Sequence, residues 1–448
     1  MKEQNRNINK KENIKKAKKY GQTALKLHEF YKGKIQMMPK CSITSIKDFS
    51  IWYTPGVARV SESIYKKKEN VFTYTNKWNT VAVVSDGTRV LGLGNIGPEA
   101  ALPVMEGKAL LFKYLGGVDA FPICLDTKDA EKIMETVKYL QPSFGGINLE
   151  DIEKPKCFDI LERLRNEMDI PVWHDDEQGT AAITLAALLN AIKIVGKKKK
   201  DVSIVFFGAG AANVAISRLL FQAGFTSNKS IFVDSKGILS DSRKDLKDTY
   251  KWKLVKESNQ EDREGDAKEA FKGMDIAICL SRSGPNIVKK EWVSSMASDA
   301  IVFACANPIP EIWPWDAKEA GAKIVGTGRS DFPNQVNNSL GFPGIFRGAL
   351  DVRARSITDE MCITAAKSLA KTAEMQGIDE DYIIPSMNDI DAVINEALAV
   401  GLKAISQKIA RIRYSKEELH KIVHNTIRAS RKSANFLMHY GIIPEKII

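Results

Sequence analysis

Val202-Ser203-Ile204-Val205-Phe206-Phe207-Gly208-Ala209-Gly210-Ala211-Ala212-Asn213 is the stretch on which the fold turns. An apolar, β-prone run ends on two glycines one residue apart, and a helical run, 211–223, follows. A strand that breaks at glycine and resumes as a helix leaves the helix's first N–H groups unpaired and aimed at one point, which suits a phosphate. Gly208 allows the tight turn and Gly210 lets backbone approach a pyrophosphate. Asn213 stands where a third small residue is usual, so helix–strand packing is expected to differ there. A second strand, 230–233, leads to Asp234, about 20 residues beyond the turn, where an acid binds ribose hydroxyls. Strand, turn, helix, strand and acid together read as a dinucleotide site. Asp234 favours NAD, because a carboxylate repels a 2′-phosphate. Lys236 and Lys244 lie close enough in sequence to leave NADP possible.

Working outward, short apolar strands at 276–280, 300–305 and 323–325 alternate with helical stretches, the pattern of a doubly wound parallel sheet. The charged run Lys197–Lys200 before the turn reads as a hinge. Upstream, 80–85 and 120–125 read as buried strands, 181–195 as a buried helix, and 103–115 as a helix with Pro103 in its first turn. Residues 258–268 read as a surface loop or exposed helix end, and from about 356 the pattern is helical and amphipathic. The expected organisation is α/β: an N-terminal catalytic and metal domain at 1–180, a Rossmann domain at 181–355, and a helical segment at 356–448 that packs on the other domains or on a partner subunit.

At 448 residues, 44% hydrophobic and 27% charged, the chain has the size of two or three folded domains. No apolar run reaches the ~20 residues that cross a bilayer. The net charge of +11 owes much to the two ends, for example Lys10, Lys11, Lys15, Lys16, Lys18 and Lys19, and reads as solvated helix faces. No nucleic-acid motif accompanies it, so neither nucleic acid nor membrane is an expected partner. Six cysteines without CxxC spacing fit a reducing compartment with no disulfide framework and no zinc site. Glu3 and Glu12, and the lack of an apolar leader core, point to the cytoplasm.

Two further segments are dense in acids: Asn148-Leu149-Glu150-Asp151-Ile152 and His174-Asp175-Asp176-Glu177-Gln178-Gly179-Thr180. Carboxylates at strand ends suit a hard cation such as Mg²⁺ or Mn²⁺. The alternative is that Asp175 and Asp176 cap a helix beginning near Thr180. His174 reads as a hydrogen-bonder rather than a ligand. Lys108 lies in an apolar helix between Val104 and Leu111. Such a lysine acts as a base if an apolar, partly cationic setting keeps it neutral; otherwise it snorkels to the surface. Tyr53 precedes the Pro55–Gly56 turn, a place where a buried tyrosine ordinarily packs.

Taken together, YTPGVA (53–58), SDGTRVLGLGNIGPEAALPVMEGKA (85–109), INLEDI (147–152), IPVWHDDEQGTA (170–181), FFGAGAANVA (206–215), VDSKG (233–237), FACANPIPEI (303–312) and NNSLGFPGIFRGALD (337–351) resemble the malic enzymes of the short bacterial and archaeal type. The resemblance implies oxidative decarboxylation of L-malate to pyruvate and CO2 with reduction of NAD or NADP, dependent on Mg²⁺ or Mn²⁺. It implies Tyr53 as proton donor, Lys108 as general base, Glu150, Asp151 and Asp176 as metal ligands, and Asp175 as the residue orienting them. Gly208, Ala209, Gly210, Ala211 and Ala212 then line the pyrophosphate and Asp234 the ribose. Asn307 and Asn338 contact substrate and cofactor, with Asn337 beside them. Arg89 matches an arginine that binds a malate carboxylate in the larger eukaryotic type. The family also implies a homodimer. Asn213 and the loop 281–285 depart from the family pattern, which bears on cofactor preference rather than on the reaction. An oxaloacetate decarboxylase and a simple malate dehydrogenase on the same scaffold are the rival readings.

Overall fold

Two runs of β-branched residues start two separate sheets in the computed structural model, which describes residues 19–446. Lys10, Lys11, Lys15, Lys16 and Lys18 lie outside them. The first sheet contains β1 (Thr80–Ser85), β2 (Asp119–Cys124), β3 (Gly146–Leu149) and β4 (Val172–His174), in the order β2-β1-β3-β4 and parallel throughout. Every residue of β1 is buried, as expected of a parallel strand covered on both faces. Helices α1 (Pro98–Gly116), α2 (Ala130–Leu140) and α3 (Lys156–Glu167) carry the crossovers. Helix α1 starts five residues before the expected Pro103. Gly97, at φ +83°, ends the preceding loop and Pro98 fills the first turn. Pro103 therefore lies inside the helix and costs one backbone hydrogen bond there.

Helix α4 (Thr180–Ile194) leads to the second sheet. It is buried from Ala181 to Ile192, so its apolar character reflects enclosure between layers. The second sheet contains β5 (Ile204–Phe207), β6 (Ser230–Asp234), β7 (Gly237–Ile238), β8 (Ile276–Cys279), β9 (Ala300–Ala304) and β10 (Ala322–Thr327). Its order is β10-β9-β8-β5-β6-β7, parallel except for β7, which turns back on β6. Helix α5 (Ala211–Gln222) follows β5 directly. The polar stretch at 258–268 is mostly exposed, as expected, but its start is anchored. Asn259 is buried and donates to the carbonyls of Leu239 (3.1 Å) and Arg263 (2.9 Å), tying the loop to the sheet edge.

The chain ends in α6 (Phe342–Asp351), α7 (Asp359–Gln376), α8 (Ile390–Ser406) and α9 (Lys416–His439). These close back over the first sheet. Phe342 and Phe346 pack on Phe112 of α1, with ring centroids 4.5 and 5.2 Å apart, and Ser430 of α9 donates to the Lys113 carbonyl (2.8 Å). Burying each such ring contributes roughly 1.5–3 kcal/mol. Among the described residues no helix is long and apolar enough to cross a membrane.

Candidate active site

Parallel strands open their binding crevice at their carboxyl ends. The chain leaves β3 into Glu150 and Asp151, and leaves β4 into Asp175 and Asp176. Asp151 takes φ +55°, a left-handed conformation that aspartate tolerates better than most residues.

Lys108 comes to these acids from the middle of α1. It is 8% exposed. Its Nζ donates to Asp175 Oδ2 at 2.5 Å, lies 2.9 Å from Glu150 Oε1, and sits 4.3 Å above the Phe342 ring. Asp175 is fully buried, and its other oxygen accepts from Trp173 Nε1 (3.1 Å). Gly179 makes room for it: a Cβ there would lie 2.0 Å from Asp175 Oδ1. Burial opposes the Lys108 charge, but Asp175 and Glu150 outweigh burial and raise its pKa above the ordinary lysine value. The expected cationic setting is thus corrected. The lysine is pinned as an ammonium between carboxylates that approach it from β3 and β4.

Glu150, Asp151 and Asp176 place ligand oxygens within 4.8 Å of one another. Asp176 Oδ2 accepts from the Asp151 N–H (2.9 Å), whereas Asp151 Oδ2 is buried without a hydrogen-bond partner. Burial, with Asp176 and Glu150, pushes the Asp151 carboxyl up to about 9. Burial also raises Glu150, to about 7, against the pull of Lys108. An orphaned buried oxygen and three crowded carboxylates fit a divalent cation that takes oxygen donors. Cys157, His174 and Glu177 bring a second set of donors within 4.8 Å, a grouping that sequence spacing did not reveal. There burial, Glu177 and Asp176 hold the thiol protonated. His174 pairs with Glu177 at 2.9 Å; despite its burial, that pair raises its pKa to about 9.

At the nucleotide turn Gly208 has φ +109°, and a Cβ would meet the Leu280 carbonyl at 2.4 Å. Asn213 does not loosen the packing. It is fully buried and donates to the Gly208 carbonyl at 2.7 Å, stitching α5 to its own turn. Asp234 ends β6 as expected and accepts the Lys236 backbone N–H (2.9 Å), but the Lys236 side chain, expected to be free for a 2′-phosphate, turns elsewhere. Lys236 Nζ pairs with Asp245 (2.9 Å). Asp234 is clasped instead by Lys251 (2.5 Å) and Arg243 (3.2 and 3.3 Å).

The remaining expected residues are unevenly gathered. Asn338 stands beside the Lys108 centre, since a Cβ at Gly179 would lie 3.3 Å from its Cβ. Both ends of the Asn337 amide are in use: the oxygen caps Ser339 and the nitrogen donates to the Gly328 carbonyl (2.9 Å). Arg89 is exposed, but its N–H donates to the Asp151 carbonyl (2.9 Å). Asn307 is exposed on the loop after β9. Tyr53 is 68% exposed, and its hydroxyl has no hydrogen-bond partner among the described residues.

Several residues went unread in the sequence. Lys154 Nζ lies 3.7 Å from where a Gly210 Cβ would sit, and Tyr250 donates to the Ala209 carbonyl (2.6 Å); both border the pyrophosphate turn. Glu311, fully buried, accepts from the N–H groups of Ser281 (2.9 Å) and Ala306 (3.1 Å) and so joins the loops after β8 and β9. Its burial raises its carboxyl to about 7. The only sequence signal for Lys154 was its place three residues after Asp151.

A Rossmann-type sheet thus stands beside a buried lysine and three carboxylates whose oxygens suit a divalent cation. Residues 32–165 match the malic enzyme N-terminal domain and residues 177–406 the malic enzyme NAD binding domain. The chain is 50% identical over 396 residues to the bifunctional malic/malolactic enzyme of Bacillus subtilis (strain 168), covering 88% of this chain and 96% of that one. It is 49% identical to the NAD-dependent malic enzyme of Geobacillus stearothermophilus, over 85% of this chain and 78% of that one. The crystal structure of Entamoeba histolytica malic enzyme superposes with a TM-score of 0.93 at 48% identity, covering 96% of this chain and 90% of that one. The chain belongs to the malic enzyme family, the decarboxylating malate dehydrogenases that use NAD or NADP.

Proposed function

We propose that Lys108 is the general base of malate oxidation and Tyr53 the acid that returns a proton to carbon. The observation that carries this reading is the seating of Lys108 between Asp175 and Glu150 beside the three-carboxylate group. Glu150, Asp151 and Asp176 would hold Mg²⁺ or Mn²⁺, which when bound would act as a Lewis acid on malate and favour both loss of the C2 hydride to the nicotinamide and the decarboxylation that follows. Lys108 must first release its ammonium proton, and the neutral amine would then take the C2 hydroxyl proton. Glu150, one of its two carboxylate partners, is also one of the three residues that would hold the cation, which would loosen the grip on that ammonium proton. Asp175 keeps the amine aimed. Tyr53 then protonates C3 of enolpyruvate as pyruvate forms. Arg89, Asn307, Asn337 and Asn338 border the substrate and nicotinamide, and the backbone of Gly208–Ala212 receives the pyrophosphate.

Asp234 meets the adenosine ribose already paired with Arg243 and Lys251, so its repulsion of a 2′-phosphate is largely offset. NAD remains the favoured cofactor and NADP an accessible one. We read 1–180, 181–355 and 356–448 as the catalytic, nucleotide-binding and helical units. The protein works in the cytoplasm as a homodimer in which Tyr53 of one copy completes the other's site. The dimer reading rests on the exposure of Tyr53 together with Leu25, Phe30, Met37, Ile51 and Trp52.

The test mixes the protein with L-malate, Mn²⁺ and either NAD or NADP, follows reduced nicotinamide, and assays pyruvate with an EDTA control. Metal-dependent reduction with pyruvate in step supports the assignment. Reduction with oxaloacetate as the only product removes the role of Tyr53.

A further inference from the structure

A cavity of about 480 Å³ opens where the C-terminal halves of α4 and α7 meet the linker into the second sheet. Its floor is Leu189, Ile192 and Ala370. Six lysines stand around it: Lys193 on α4, Lys197, Lys198 and Lys199 on the linker, and Lys367 and Lys371 on α7. Against them stands one lining carboxylate, Glu374, which Lys193 and Lys371 already share at 3.2 Å each. Lys197 is held by Asp275 (2.8 Å) and the Ser298 carbonyl (2.6 Å).

Lys198, Lys199 and Lys367 have no carboxylate partner among the described residues. Lys199 reaches the Ala223 carbonyl (3.3 Å) and sits 5.9 Å over the Phe225 ring. Its pKa is lowered by burial and by the neighbouring charges of Lys367 and Lys193. Cations are favoured at helix C-termini, which accounts for Lys193 and Lys371. It does not account for Lys367, nine residues before the end of α7, or for three successive lysines beyond the end of α4. Like charges gathered around one concavity repel unless an anion sits among them.

We propose that this cavity binds a small organic polyanion carrying two or more phosphate groups, at a site separate from the nucleotide turn. The lysines take the phosphates, as point charges suited to them, and the apolar floor takes the organic part. The ligand then bridges α7, α4 and a linker that Lys197 anchors to the second sheet. Helix α4 starts at Thr180, directly after the segment bearing Asp175 and Asp176, so occupancy has a rigid route to the catalytic acids.

The test is calorimetric titration of the full chain with inorganic tripolyphosphate, without divalent cation and with NADH saturating the nucleotide turn. ATP is titrated in parallel. One equivalent of tripolyphosphate is expected to bind per chain. In K198E/K367E, whose side chains are exposed, binding should weaken at least about tenfold. Unchanged circular dichroism and basal malate turnover within about twofold show that this variant is folded. K198Q/K367Q, without reversed charge, should fall between the two. ATP binding tighter than tripolyphosphate identifies a nucleotide as the source of the phosphates, and equal binding identifies phosphate chemistry alone. No binding of tripolyphosphate while NADH saturates the nucleotide turn, or wild-type affinity in K198E/K367E, overturns the proposal.

Discussion

Lys108 and Tyr53, the two residues assigned to move protons, sit in opposite surroundings. Lys108 is 8% exposed and Tyr53 68%. Around Lys108 the sheet ends, Trp173, Gly179 and Phe342 leave one position for the amine and one for each carboxylate. Tyr53 lies between two helices, Phe49–Trp52 and Val57–Lys66, that contain no buried residue. A group held from several sides is preorganised within one chain. A group with an open face needs a second surface to define its position. On the proposed roles, the base is a product of the core, whereas the acid is left open by the single chain.

The largest effect expected from this contrast falls on the base. Lys108→Ala should lower kcat by roughly 10²–10⁴-fold, the usual worth of general acid–base catalysis. NADH affinity, measured by fluorescence titration, should stay near normal. A fall of less than about tenfold would remove Lys108 from its role.

The next experiment addresses the acid directly. K108A and Y53F are each purified, then mixed and allowed to exchange subunits. If Tyr53 acts across a twofold interface, mixed dimers regain one complete site, and about a quarter of wild-type activity returns. Activity no higher than the sum of the two separate variants places both residues in one chain.

The metal cradle belongs to the preorganised half. Binding at about 100 times Kd stabilises the folded state by about 2.7 kcal/mol. Mn²⁺ should accordingly raise Tm for the wild type. In D151N, which lacks the buried orphan carboxylate oxygen, the increase should largely vanish. An equal increase in both proteins would place the cation elsewhere.

An effect of similar size concerns Glu396, on α8. It is fully buried with both carboxylate oxygens unpartnered, and a Cβ on Gly344 would sit 2.1 Å from Oε2. Burial raises its pKa well above the ordinary value. The folded state thus keeps a proton that the unfolded chain, with a pKa of about 4.3, has released. That stability is complete below the unfolded pKa and is lost at about 1.4 kcal/mol per pH unit as pH climbs toward the folded value. Glu396→Gln carries no such loss, so its Tm should gain on the wild type from pH 6 to pH 8. A gap that stays constant would mean that the carboxylate is ionised in the fold.

Legibility in the sequence followed the range of the interactions. The Gly208 turn and Asp234 were readable because each depends on a few neighbouring residues. Asn213 was recognised as a departure, but not as the donor that closes its own turn. Lys108 was read correctly as enclosed by apolar residues, whereas the sign of its surroundings was not. Its partners Glu150 and Asp175 come from 42 and 67 residues further along the chain. Nothing in the sequence pattern marks Arg243 and Lys251, nine and 17 residues beyond Asp234, as its partners.

By itself the sequence determined the strand–turn–helix of the nucleotide site, the parallel sheet around it, the acids at the strand ends and, through its motifs, the family. These rest on backbone torsions and on the periodicity of apolar residues, both local properties. Only the tertiary structure decided the charged state of Lys108, the cations that hold Asp234, the enclosure of Asn213 and the exposure of Tyr53. Burial and electrostatic field at any atom are sums over every group folded against it, most of them remote in the chain.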